Sequence, residues 1–197
     1  MGIPLYSGCQ AGCNRHARHA YYESNFGMRF EMEKALFGAG CFWGVEDFFR
    51  QVPGVSDAVS GYAGGTTSNP SYKQICNGDT YHAEVVEVTF DPVRVPYRTL
   101  VDLFFRMHNP TQRNRQGPDF GTQYRSVIFT HGEEQARIAA EEKAKVEASG
   151  KWKQPVVTQI EPAPIFWKAE ESHQRYFQKH GGSCHVSFAE LQAEDAR

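Results

Sequence analysis

The sequence predicts an α+β fold: a single compact mixed-sheet domain with surrounding helices, of the two-layer sandwich type. Three observations lead there. Runs rich in β-formers and runs with helical apolar spacing intermix from Lys34 to His180. No internal repeat or clear linker breaks that stretch. A chain of 197 residues, 40% hydrophobic and 22% charged, fits one core-forming domain, or one domain with tails.

Lys34 to Gly40 (KALFGAG) predicts a short strand running into a glycine turn. Phe42, Val45, Phe49 and Val52 then recur at helical spacing, and Pro53-Gly54 stops that helix. Val55 to Tyr62 predicts a second strand, and Ala63 to Ser71, rich in Gly, Thr and Asn, a loop. His82 to Phe90 (HAEVVEVTF) predicts a strand, turned by Asp91-Pro92. Tyr97 to His108 predicts a helix carrying Leu100, Leu103, Phe104 and Met107, closed by Asn109-Pro110. Thr111 to Thr122 is polar loop, and Tyr124 to Thr130 a strand. Glu133 to Ala148 predicts a surface helix, with Glu133 and Glu134 at its positive end, Lys143 and Lys145 at the other, and Gly150 as its stop. Val156 to Ile160 predicts a strand, and Ala169 to His180 a last helix closed by Gly181-Gly182. Ser183 to Arg197 shows no strong pattern, and the strand order is not readable. Three parts are expected: an N-terminal arm over 1–30, the folded domain over 31–180, and a C-terminal tail over 181–197.

Composition narrows the function classes. Lys+Arg (21) nearly balances Asp+Glu (23), so no broad basic field is available for nucleic acid or an anionic membrane. No apolar run is long enough to span a bilayer. Met1 to Phe30 is rich in Gly, Arg, His and Tyr and lacks the apolar stretch of a signal peptide. It is expected to be a flexible arm or the product of a misplaced start. The five cysteines are odd in number and widely scattered, which points to a reducing, cytoplasmic compartment and to catalytic thiols over structural disulfides.

Gly40-Cys41-Phe42-Trp43-Gly44 is the most informative segment. Its glycines allow a tight turn, and Cys41 falls at the start of the predicted helix. Free backbone N–H groups and the helix dipole favour an anion there, so the thiol should be partly thiolate at neutral pH. Phe42 and Trp43 should set apolar surface beside that sulfur. Read alone, Cys41 also fits a buried cysteine packed under a helix start.

GCFWG at a strand-to-helix turn resembles the active-site motif of the A-type peptide methionine sulfoxide reductases. The likeness extends to GYAGG at Gly61 to Gly65, NPSY at Asn69 to Tyr72, HAEVV at His82 to Val86 and GPDFGTQYRS at Gly117 to Ser126, covering Lys34 to His180. The resemblance implies Cys41 as nucleophile and Phe42 and Trp43 as the pocket for the substrate's S-methyl group. It implies Glu84 as the acid that protonates the sulfoxide oxygen, with Tyr72, Asp119 and Tyr124 on the polar side. It implies reduction of methionine S-sulfoxide, free or in proteins, with thioredoxin as electron donor, no bound cofactor and no metal. One departure is Pro118, where the family commonly has Asn.

The chemistry agrees with these roles. A sulfoxide is a poor electrophile until its oxygen is protonated, so a carboxyl must hold a proton near neutral pH, which needs a desolvated site. Ala83, Val85 and Val86 flank Glu84, yet a solvent-facing strand position fits it equally well. By default Tyr72 and Tyr124 are core or rim aromatics, and Asp119 is a loop turn residue. Cys184 follows Gly181-Gly182-Ser183 in the tail, where family members commonly keep a resolving cysteine. A sulfenic acid on Cys41 would condense with it, and thioredoxin would reduce the resulting disulfide. A surface thiol without that role is the alternative.

Other residues carry less. Cys76 in QICNGD reads as an inert core thiol. Cys9, Cys13, His16 and His19 resemble a metal site only loosely, and Cys184-His185 less. His173 and His180 read as capping or packing residues. A cysteine hydrolase would need His82 or His108 as the base of Cys41 and leaves Glu84 without a role. A peroxide-reducing or disulfide-exchange protein would share the thiol, but no CxxC lies at Cys41. A metal-binding module using the N-terminal arm is the third rival.

Overall fold

The computed structural model describes residues 31–183 and 186–196. Its centre is a sheet of six strands: β1 (Glu33–Ala39), β2 (Val55–Ala63), β3 (Ala83–Phe90), β6 (Ser126–Thr130), β7 (Gln159–Pro162) and β8 (Trp167–Lys168). The order is β7-β6-β1-β3-β2-β8. All neighbours are antiparallel except β6 and β7, which are parallel. A parallel pair needs a crossover, and helix α4 (Glu133–Ala148) supplies it. The short strands β4 (Arg115–Gln116) and β5 (Asp119–Phe120) form a separate hairpin.

Side chains alternate between the two faces of a strand. Ala35, Phe37 and Ala39 of β1 and Val86, Val88 and Phe90 of β3 enter the larger core. They meet Phe42, Val45, Phe48 and Phe49 of α1 (Phe42–Arg50) and Leu100, Phe104 and Phe105 of α3 (Tyr97–Met107). Ile75 of α2 (Tyr72–Asn77), Ala139 of α4 and Leu191 of α6 (Phe188–Asp195) join the same cluster. The opposite face carries a smaller cluster around Leu36, Val85, Val127 and Phe129, covered by Ala163 and Phe166. Sheet and helices thus make two layers, the α+β arrangement expected.

The turn from β1 into α1 positions the site. Gly40 sits at φ +98°, and a Cβ there would lie 2.7 Å from the Gln116 side chain. Only glycine meets both conditions. Cys41 is the N-cap of α1.

Several elements depart from the sequence expectation. α2 and β8 were not expected. The strand predicted from Tyr124 begins at Ser126, because Thr122 to Tyr124 close a 3-10 turn. The strand predicted over Val156 to Ile160 lies at Gln159–Pro162. The tail forms α6, started by a capping box in which Ser187 and Glu190 satisfy each other's backbone N–H groups. The helix predicted over Ala169 to His180 is broken. A 3-10 turn at Glu171–His173 and α5 (Tyr176–His180) flank Gln174 and Arg175, and Arg175 is left-handed at φ +53°. The sequence reading has one helix over Ala169 to His180, but tertiary hydrogen bonds of Gln174 and Arg175 override it.

Candidate active site

The site forms where the start of α1 meets the middle of the sheet. The register sets Glu84 opposite Tyr62, on the same strand face as Val86 and Val88, so its carboxyl points under α1. It is 2% exposed, which resolves the two orientations the sequence allowed. Its Oε2 accepts the backbone N–H of Phe42 at 3.0 Å. Burial pushes the Glu84 carboxyl up to about 8; the Phe42 N–H opposes that shift, and the nearby Asp119 charge adds to it. The carboxyl is therefore mostly protonated at neutral pH.

Tyr72 opens α2, Tyr124 ends the 3-10 turn before β6, and Asp119 lies in β5. The turn between β4 and β5 is Gly117-Pro118, so Pro118 is accommodated while Asp119 pairs with Gln116. Burial, then the neighbouring Glu84 charge, holds both phenols above the ordinary tyrosine range. Asp119 and Cys41 act on Tyr124 in the same way. Cys41, Glu84, Tyr72, Asp119 and Tyr124 thus converge on one small region, and both phenols keep their protons there.

The apolar side is built from Phe42, 1% exposed, and the half-buried Trp43. The Trp43 indole stacks on Tyr176 with centroids 3.7 Å apart and planes 7° apart. Its Nε1–H donates to His173 Nδ1 at 3.2 Å, and the His173 ring lies 4.2 Å from that of Tyr72. Since Nδ1 accepts, this geometry assigns His173 as neutral, and burial lowers its pKa against the pull of Glu170. Glu170 accepts the Tyr62 hydroxyl at 2.9 Å and the Tyr72 backbone N–H at 2.8 Å. Sequence reasoning missed Glu170, His173, Tyr176 and Tyr62 as parts of the site. The polar and aromatic run AEESHQRY at 169–176 was the available signal, hidden by its reading as one helix.

The two histidines proposed as hydrolase bases are engaged elsewhere. His82 takes the Gly65 N–H on Nδ1 at 3.1 Å and meets the Thr67 carbonyl with Nε2 at 2.7 Å, so it clamps the loop before α2. His108 meets the Phe104 carbonyl through Nδ1 and the Ser126 hydroxyl through Nε2. The arrangement at Cys41 instead pairs a thiol with a protonated acid beside a cluster of aromatic rings. Such a site suits a substrate with a small apolar group and an oxygen that must gain a proton.

Comparison with known proteins agrees with that chemistry. The family described as "Peptide methionine sulfoxide reductase" matches residues 33–196. The chain belongs to the peptide methionine sulfoxide reductase family. A "Peptide methionine sulfoxide reductase MsrA" of Methanoculleus marisnigri is 58% identical over 151 residues, which cover 77% of this chain and 92% of that protein. The crystal structure of Mxr1 from Saccharomyces cerevisiae in reduced form superimposes with a TM-score of 0.74 at 39% identity. It covers 80% of this chain and 92% of that one. Mxr1 in complex with Trx2 is also similar, with a TM-score of 0.54 at 26% identity, covering 79% of this chain and 88% of that one.

This methionine sulfoxide reductase homologue departs from the sequence expectation at one cysteine. Cys76 was expected in the core, but it is exposed. α2 buries only Ile75, and the next position on the helix faces outward. Cys76 lies one helical turn after Tyr72. Cys184 and His185 lie outside the described residues, as do Cys9, Cys13, His16 and His19 in the N-terminal arm. Among the described residues no group of three or more His, Cys, Asp or Glu could hold a metal ion, and no helix is long and apolar enough to cross a membrane.

Proposed function

We propose that this protein reduces the S epimer of methionine sulfoxide, free or in proteins, to methionine, with Cys41 as nucleophile and Glu84 as proton donor. The observation that carries the reading is the buried, protonated Glu84 carboxyl fastened to the residue after Cys41. The Cys41 thiolate attacks the sulfoxide sulfur while Glu84 protonates the oxygen, which removes the need to expel an oxide. Phe42 and Trp43 receive the S-methyl group; Tyr72, Tyr124 and Asp119 hold the oxygen side. Oxygen passes from substrate to thiol, so the products are methionine and a Cys41 sulfenic acid.

Cys184 then condenses with the sulfenic acid, releasing water and forming a disulfide. Thioredoxin reduces that disulfide by thiol–disulfide exchange, and no bound cofactor is needed. The Mxr1 complex with Trx2 supports such a partner. Recycling of this kind suits a reducing, cytoplasmic compartment and a role in repairing oxidised proteins. The arm over 1–30 and the tail over 181–197 flank the catalytic domain in this scheme.

The test is thioredoxin-coupled NADPH oxidation with each purified epimer of a methionine sulfoxide substrate. Turnover of the S epimer and near silence with the R epimer is expected. Absence of turnover with both overturns the reading.

A further inference from the structure

The break in the predicted last helix lies between two groups that hold it open. Gln174 is 5% exposed, and its side-chain amide bonds to backbone in three places. Oε1 accepts the Ser60 N–H at 3.0 Å, and Nε2 donates to the Ser60 carbonyl at 2.9 Å and to the Ala169 carbonyl at 2.9 Å. β8 pairs with β2 only at Gly61 and Tyr62. At Ser60, the next position along β2, the carbonyl accepts the Ala169 N–H at 3.0 Å, and the Gln174 amide adds a second donor to that carbonyl and the acceptor for the Ser60 N–H.

The second group is Glu46, on the buried face of α1 and 1% exposed. Its Oε2 accepts the Arg175 backbone N–H at 2.8 Å and the Ser60 hydroxyl at 3.3 Å, and its Oε1 accepts Arg50 Nε at 3.4 Å. The carboxylate receives the N–H of the one residue in this segment held in the left-handed region, where a side chain is disfavoured. Removing either partner leaves buried polar groups unpaired, so the segment would reorganise rather than relax slightly.

The segment so held carries three of the groups around the pocket. Glu170 grips Tyr62 and Tyr72, His173 takes the Trp43 N–H, and Tyr176 stacks on the Trp43 indole. Gln174 and Arg175 sit between His173 and Tyr176. Neither Glu46 nor Gln174 hydrogen-bonds Trp43, Tyr72 or Glu84, so neither touches those groups through a hydrogen bond of its own.

We propose that Gln174 and Glu46 are positioning residues for substrate binding: they pin residues 170–176 to β2 and α1 and thereby hold Trp43 in the orientation that receives the methyl group. This rests on the reading of Phe42 and Trp43 as the methyl pocket. A residue that merely supports the fold would lower stability without changing how substrate is gripped. A positioning residue changes KM, and its effect vanishes once the group it positions is gone.

The experiment is a double-mutant cycle on the full chain, with KM and the saturating single-turnover rate measured for Gln174→Ala, Trp43→Ala and the pair. Gln174→Ala should raise KM at least about tenfold, within the roughly 10–200-fold range of a disturbed methyl pocket, with the saturating rate within about threefold of the parent. In the Trp43→Ala background the same substitution should change KM less than about twofold. Where Gln174→Ala does not fold, Gln174→Met carries the same cycle, since it keeps much of the side-chain volume and loses the hydrogen bonds. Glu46→Gln, which retains an acceptor for Arg175, should stay closer to the parent KM than Glu46→Ala. Equal KM increases in both backgrounds, or a lost rate at constant KM, overturn the clamp alone. If Trp43→Ala itself leaves KM unchanged, the pocket reading fails and takes the clamp with it.

Discussion

The Phe42 backbone N–H donates to Glu84 Oε2 at 3.0 Å, which ties a buried carboxyl to the first turn of the helix that Cys41 caps. The contact spans 42 positions in sequence. It sets the acid beside the thiol using one of the N–H groups that a helix start leaves unpaired. The same bond limits how far burial raises the carboxyl, so the proton is held near neutral pH but is still transferable.

Cys41→Ser should abolish turnover. A serine hydroxyl is not ionised at neutral pH and is a poor nucleophile. The check is single-turnover reduction of methionine sulfoxide by the purified variant, and substantial remaining reduction would remove Cys41 from its role.

Glu84→Gln keeps the acceptor for the Phe42 N–H but has no proton to give. The single-turnover rate should fall by about a hundred to ten thousand-fold, as is typical for a lost general acid, with substrate affinity little changed. A rate close to the parent's would show that the proton comes from elsewhere.

Glu84 also predicts two pH dependences. The chemical step needs its protonated form, so the single-turnover rate should fall as pH rises through about 8. Stability follows the same sign. The folded-state pKa lies above the ordinary 4.5, so the folded protein binds this proton more tightly than the unfolded chain does. The contribution is fully present below the ordinary value and is lost as pH rises through about 8. Thermal unfolding should therefore show Glu84→Gln gaining on the parent between pH 5 and pH 9, by an amount on the order of a few kcal/mol. A pH-independent difference between the two proteins would contradict the burial argument.

Cys184→Ser separates the halves of the cycle. It should still reduce about one equivalent of methionine sulfoxide at the parent's single-turnover rate, while thioredoxin-driven turnover falls sharply. Cys41 should accumulate as a sulfenic acid trappable by dimedone, and dithiothreitol should restore cycling. Normal cycling with thioredoxin would shift the resolving role to another thiol, and the exposed Cys76 is then the next candidate.

What the sequence by itself determined is local. The GCFWG turn, the helix start at Cys41, the apolar spacing of α1 and the charged ends of α4 all follow from neighbours a few positions apart. Each appears where expected because its physics (a glycine turn, a free helix end, one helical face) needs no distant partner. The Ser187–Glu190 capping box was equally local and was overlooked. Tertiary structure alone decided the strand order, which face Glu84 takes, and the contact of Trp43 with His173, 130 positions away. It also broke the helix expected over Ala169 to His180. The Gln174 amide and the Arg175 N–H gain buried partners on Ser60 and Glu46 that a continuous helix could not reach. Burial and long-range hydrogen bonds depend on which segments meet, and no spacing along one chain carries that information.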